Sequence, residues 1–170
     1  MGGAPLNLGR TCRTGLQWLK FRWRFTCQRF RIGRDERAAV DPREYILRRV
    51  HKNDYKPQLA DPVQRLGFTP NKNDRDGLSV HRELFIRAET LAWCGRKPGE
   101  YVIVRMLAAD LVNEFGLTLR PSPDPNVPGH TVIPELSFIE DKKKFERVKE
   151  LARALAKVAR ERIVYKPPNL

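Results

Sequence analysis

The sequence predicts an α+β domain: a single small mixed sheet with short helices, a long C-terminal amphipathic helix and a basic N-terminal arm. Three observations carry that prediction. Short runs rich in apolar and β-branched residues, clearest at Glu44–Val50 and Glu100–Met106, have the length and composition of strands. Apolar residues at Phe145, Val148, Ala152, Leu155, Ala159 and Ile163 recur at three- and four-residue intervals, which is one face of a helix. Residues 1–34 hold eight bases and no acid, a composition unlike the rest of the chain.

In the arm, polar and apolar residues alternate from Lys20 to Gln28. That period of two puts Phe21, Trp23, Phe25 and Cys27 on one side and Lys20, Arg22, Arg24, Thr26 and Gln28 on the other. Three readings compete for it: an edge strand or disordered arm with nothing to bind, a nucleic-acid contact, and a targeting peptide or a stretch upstream of the true start. For nucleic acid, Arg22, Arg24, Arg29 and Arg31 would neutralise phosphates while Phe21, Trp23 and Phe25 stack on bases.

After Arg34 the composition becomes balanced. Glu44–Val50 predicts a strand entered through Asp41-Pro42, and residues 52–77, rich in Asn, Asp, Lys, Pro and Gly, predict loop around a short apolar piece at Leu66–Phe68. Leu78–Val80 predicts a brief strand and Arg82–Trp93 a helix. A turn at Gly95–Gly99 leads into the strand Glu100–Met106, and Ala108–Phe115 predicts a short helix closed by Gly116. Leu117–Leu119 and His130–Ile133 predict further strands around a stiff loop holding Pro121, Pro123, Pro125 and Pro128. Ser137 with Glu140 reads as a capping box opening a helix that runs to Ile163 before Pro167-Pro168. The resulting division is 1–34 arm, 35–136 core, 137–164 helix packed on the core and 165–170 tail.

The chain carries 33 bases and 20 acids, a formal charge of +13, and such a field attracts polyanions: nucleic acid, an anionic membrane surface or an acidic protein. Lys142, Lys149, Arg153 and Arg160 form one stripe beside the helix's apolar face. It is either a ladder for a phosphate backbone or a solvated flank whose methylenes lie along the core edge. Cys12, Cys27 and Cys94 contain no CxxC pair, which argues against a disulfide framework and suits a reducing cytoplasm. No run approaches the ~20 apolar residues of a membrane span, and the start lacks a secretory signal pattern.

No nucleotide-loop or hydrolase signature is present, and no metal or cofactor is expected. Cys94, His81 and His130 lack zinc spacing, and Asp74, Asp76 and Gly77 read as a turn rather than a calcium loop. The chemistry-bearing residues at strand–loop junctions are Arg49, His51, Ser79 with His81 close by, and His130. Histidine moves protons near neutral pH, so a second histidine or a serine close to one of these would make an acid–base site. Otherwise all three histidines are ordinary surface or hydrogen-bonded groups.

Arg48-Arg49-Val50-His51, Asp76-Gly77-Leu78-Ser79-Val80, Pro123-Asp124-Pro125 and Pro128-Gly129-His130 resemble a family of small uncharacterised bacterial proteins over roughly residues 43–136. That likeness implies a bacterial or phage origin and a compact α+β domain, without an activity. A fainter similarity is to ADP-ribosyltransferase-like folds, which implies Arg49 or His51, Ser79 and Glu135 in the corresponding places. The expected function is a non-catalytic module that binds nucleic acid or another polyanion. The alternatives are a small enzyme using Arg49, His51, Ser79 and His130, ADP-ribosyltransferase-like or nuclease-like, and an immunity-like accessory module with an acidic protein partner.

Overall fold

Residues 35–94, 97–159 and 161–168 are described by the computed structural model. The chain divides between Gly33 and Arg34, and the arm residues singled out above, together with Arg160, lie outside the described residues. The described part is α+β, built on one six-stranded sheet of order β4-β5-β2-β1-β3-β6. Its strands are β1 (Tyr45–His51), β2 (Leu78–Arg82), β3 (Tyr101–Leu107), β4 (Arg120–Pro121), β5 (His130–Ile133) and β6 (Ile163–Tyr165). Every pairing is antiparallel, so the sheet is not mixed in strand direction. β2 and β3 flank β1 instead of pairing with each other, which leaves no parallel neighbours.

The helices are α1 (Ala88–Ala92), α2 (Ala108–Asn113) and α3 (Lys142–Ala159). One sheet face carries Ile46, Val50, Leu78, Val80, Val102, Val104 and Met106, and packs into a common core with Val148, Ala152, Leu155 and Ala159 of α3. That is the apolar stripe the helical period predicts. The register puts Leu47, Arg49, His51, Ser79, His81, Ile103 and His130 on the opposite face. There α1 lies against β1, β3 and β6.

Several expectations change. Arg82 belongs to β2 and only Ala88–Ala92 is helical, because Arg82 pairs with Ile46 and its guanidinium grips Glu44 through two 2.7 Å bonds. The helix-forming composition of residues 82–93 yields to that buried pair. Residues 117–119 form no strand, and β4 lies instead at Arg120–Pro121, inside the proline loop. Proline is tolerated there because β4 is an edge.

The long helix also differs at both ends. Asp141, not Ser137, opens α3, its Oδ1 accepting from the Lys143 and Lys144 N–H groups. The Ser137 N–H bonds Pro134 and the Phe138 N–H bonds the Asp74 carbonyl, so this stretch is held to a loop and cannot wind. At the other end Ile163 sits in β6 beside Val104, and Arg162 turns the chain by pairing with Asp110 at 2.6 Å. The segment 137–164 is therefore a short turn, a helix and most of an edge strand. β6 continues to Tyr165, which the expected division had assigned to the tail.

Candidate functional site

β2 and β5 bring together Ser79, His81 and His130. The register sets Ser79 opposite Val132 and His81 opposite His130, so all three side chains share a face. His130 Nε2 lies 3.1 Å from Ser79 Oγ, and its Nδ1 lies 2.6 Å from the Ser122 carbonyl. A carbonyl only accepts, so Nδ1 carries the proton. Nε2 is then a lone pair, and the Ser79 hydroxyl donates to it. This relay from hydroxyl to imidazole to an orienting acceptor is the arrangement that activates a serine nucleophile.

The support around the relay is specific. Ser122 holds His130 twice, since its N–H also bonds the His130 carbonyl at 3.0 Å. Just before His130, Gly129 takes φ +69°, and a Cβ there would meet Phe85 at 2.9 Å and the Arg82 carbonyl at 3.0 Å. Only glycine lets the chain enter β5 at this point. Glu36 accepts the Gly129 N–H at 3.1 Å, and the Ala38 carbonyl accepts from Arg82 at 2.9 Å. Residues 36–44 thus strap the end of β2 to the turn that leads into His130.

His81 is 2% exposed, and its ring centroid is 5.4 Å from that of His130. Burial holds its pKa well below the usual value, helped by Arg49, His130 and Arg48, while the Pro128 carbonyl opposes the shift weakly. Its Nδ1 is buried without a hydrogen-bond partner among the described residues.

Arg48 and Arg49 come from the same stretch of β1. The β1–β2 ladder consists of Ile46–Arg82 and Leu47–His81. Beyond them the Ser79 carbonyl accepts instead from Arg48 Nη1 at 2.7 Å, and Arg48 Nε donates to the Gly67 carbonyl at 3.0 Å. Burial pushes the Arg48 pKa down to about 10. Arg49 faces the Ser79 side, donates to the Cys94 carbonyl at 2.9 Å and lies over the Tyr101 ring at 5.2 Å.

The other candidates are placed elsewhere. His51 does not join Ser79 and His130; its Nε2 is 3.1 Å from Glu100, at the far end of β1. Glu135 lies past β5 and accepts the Thr118 N–H, so the acid implied by the ADP-ribosyltransferase likeness is not beside Ser79. The Cys94 thiol donates to Thr90 at 3.3 Å, and burial raises its pKa to about 11, which makes it a neutral group. In the helix stripe Lys142 and Arg153 are exposed. Lys149 is occupied by Glu146 at 2.7 Å and by the Phe145 ring.

Sequence reasoning flagged Ser79 and His130 at their junctions but missed the Ser122 carbonyl and the role of Arg48. No side-chain signal marks a backbone acceptor. Arg48 was visible only as the first half of an Arg-Arg pair. No family model, curated protein or solved structure matches the chain.

Proposed function

We propose that this protein is a small enzyme in which Ser79 is the nucleophile and His130 its general base, acting on an anionic substrate. The observation that carries the proposal is the pair of bonds fixing the tautomer: His130 Nδ1–H on the Ser122 carbonyl and the Ser79 hydroxyl on Nε2. In the reaction Ser79 Oγ forms a bond to the electrophilic centre while its proton passes to His130 Nε2. The leaving group departs with the bonding pair and takes that proton, and a second acceptor, water or another hydroxyl, then releases the serine by the reverse route. Arg49, on the same face, stabilises the negative charge that develops.

The test is covalent labelling with a fluorophosphonate, which phosphonylates activated serines and releases fluoride. Wild type is labelled at Ser79; Ser79→Ala and His130→Gln lose the label with unchanged melting temperature, and His51→Gln keeps it. Labelling at another residue, or labelling indifferent to His130→Gln, sinks the proposal. A second reading, binding of nucleic acid through the arm, draws support from the eight bases and absence of acids in residues 1–34.

A further inference from the structure

We infer that Glu36 is a positioning residue for His130, so that docking of the strap it belongs to, residues 36–44, is the condition under which the imidazole meets Ser79. This rests on the reading of Ser79 and His130 given above and names what controls that site.

The first support is the peptide unit that precedes His130. Its N–H, from Gly129, donates to Glu36 Oε2 at 3.1 Å, and its carbonyl, from Pro128, accepts from His81. The unit is therefore held at both ends, by a carboxylate 93 residues earlier and by the histidine paired with His130 across the sheet. The Gly129 carbonyl in turn accepts the Arg82 N–H at 2.9 Å. Pro128 and Gly129 are buried, so removing Glu36 leaves the Gly129 N–H without an acceptor among the described residues. Hydrogen bonds in line through one peptide unit polarise one another, so the His81 bond to Pro128 weakens with it.

The second support is the way the strap spans two strands. Its Ala38 carbonyl at 2.9 Å, its Glu36 carbonyl at 3.4 Å and its Glu44 carboxylate at 2.7 Å all take the Arg82 guanidinium. Those bonds fasten it to the end of β2, the strand of Ser79. The Glu36 side chain crosses from there to the turn that enters β5, the strand of His130. Glu36 forms no ion pair with a described cation. Its carboxylate serves a backbone N–H instead, and such a charge-assisted bond is roughly twice as strong as a neutral one.

The geometry leaves little slack. His130 Nε2 stands 3.1 Å from Ser79 Oγ, at the long end for a hydroxyl donor. Ser122 fixes the ring's tautomer, while Glu36 fixes the backbone from which the ring hangs. A drift of the Gly129 peptide passes directly to the next residue, and a misplacement of ~1 Å costs on the order of 100-fold in rate.

The experiment compares the full chain with Glu36→Ala, Glu36→Gln and Val148→Ala. It reads the rate of fluorophosphonate labelling at Ser79 and the NMR signal of the His130 Nδ1–H, which its 2.6 Å bond to Ser122 moves downfield and shields from exchange. Glu36→Ala should slow labelling ~10-fold or more and shift or broaden that signal. Glu36→Gln, whose amide oxygen accepts the same N–H, should stay within about threefold of wild type and keep the signal. Val148→Ala loosens α3 on the other side of the sheet; it should lower the melting temperature and change neither readout well below it. Labelling and signal indifferent to Glu36→Ala overturn the inference. So does a Glu36→Gln as slow as Glu36→Ala, which would make the charge rather than the hold on Gly129 the active feature, and so does equal slowing in Val148→Ala, which would make the effect one of stability. If Ser79 is labelled through His130 yet ignores Glu36→Ala, the positioning inference falls alone. If the signal answers to Glu36 as described and Ser79 is never labelled, Glu36 still positions His130 and the nucleophile reading falls.

Discussion

His81→Leu exchanges a buried imidazole for an apolar side chain of similar bulk, and two effects follow from its surroundings. The orphan Nδ1 costs the native state ~1–3 kcal/mol, the typical desolvation penalty of an unmatched polar atom. Leucine removes that penalty but also the donor that the buried Pro128 carbonyl accepts from, so at pH 7.5 these changes oppose each other and the variant should stay within about 2 kcal/mol of wild type. The second effect is its pH dependence. The folded pKa of His81 is depressed well below 6.5, so below that pH the unfolded chain takes up a proton that the folded chain refuses. The unfolded state then binds more protons, and stability must fall as pH falls. The slope reaches about 1.4 kcal/mol per pH unit between pH 6.5 and the folded pKa. Glu44 acts in a lower window. Burial, the largest single influence, opposes the depression of its pKa, but the Arg82 hydrogen bonds, the Asp41 N–H and the Arg82 charge together outweigh it, so its contribution is lost only as pH drops below 4.5. Urea unfolding midpoints of the two proteins from pH 7.5 to 5 check the argument. Wild type should lose roughly 1–2 kcal/mol more than His81→Leu over that range. Parallel curves would show that His81 is solvated or already paired and refute the reasoning.

Two further outcomes are expected. Leu155 is fully buried beneath α3, so Leu155→Asp should lower stability by at least ~3 kcal/mol in denaturant unfolding, whereas a loss near that of a surface change would mean α3 does not dock. If the arm binds nucleic acid, the log–log salt slope should be about −3 for four phosphate contacts, and joint replacement of Arg22, Arg24, Arg29 and Arg31 by serine should flatten it; an unchanged slope removes the arm as the binding surface.

Local chemistry made most of the elements legible, and long-range pairing set the exceptions. β1 and β3 announce themselves through Tyr45–His51 and Tyr101–Leu107, where apolar and β-branched residues agree with the outcome. The face of α3 was readable because Val148, Ala152, Leu155 and Ala159 keep helical spacing. Its ends were not, since Phe138 is engaged by Asp74 and Arg162 by Asp110, partners far from the helix signal in sequence. Arg82–Ile86 failed for the same reason: good helix formers gave way to a buried pair with Glu44, 38 residues earlier.

The candidate site depends on a long-range pairing. Ser79 and His130 are 51 residues apart, and only the β2–β5 register decides whether they meet. A slip of one residue would turn Ser79 or His130 to the opposite face. His51 sits at an equally plausible junction, yet the β1–β3 register sends it to Tyr101 and Glu100.

Why the site lies here follows from the one place where the central sheet stops pairing. β1 makes seven pairs with β3 but only two with β2. Had the β1–β2 ladder continued, Arg49 would stand directly opposite Ser79, and the Ser79 carbonyl would bond the neighbouring backbone. Instead the Arg48 guanidinium accepts that duty, at the expense of burying a charge. A sheet selected only for stability would place a small apolar residue at position 48 and close the ladder. The chain breaks that local rule with an arginine, puts a second arginine beside it, and positions a serine and a tautomer-fixed histidine across the gap. Departures of this kind gather where a protein binds or reacts, because only function offsets their cost. Ser79, His130 and Arg49 share one face of the sheet while Arg48 holds the Ser79 carbonyl, and the interruption of the ladder is the part of this arrangement that the sequence alone does not reveal.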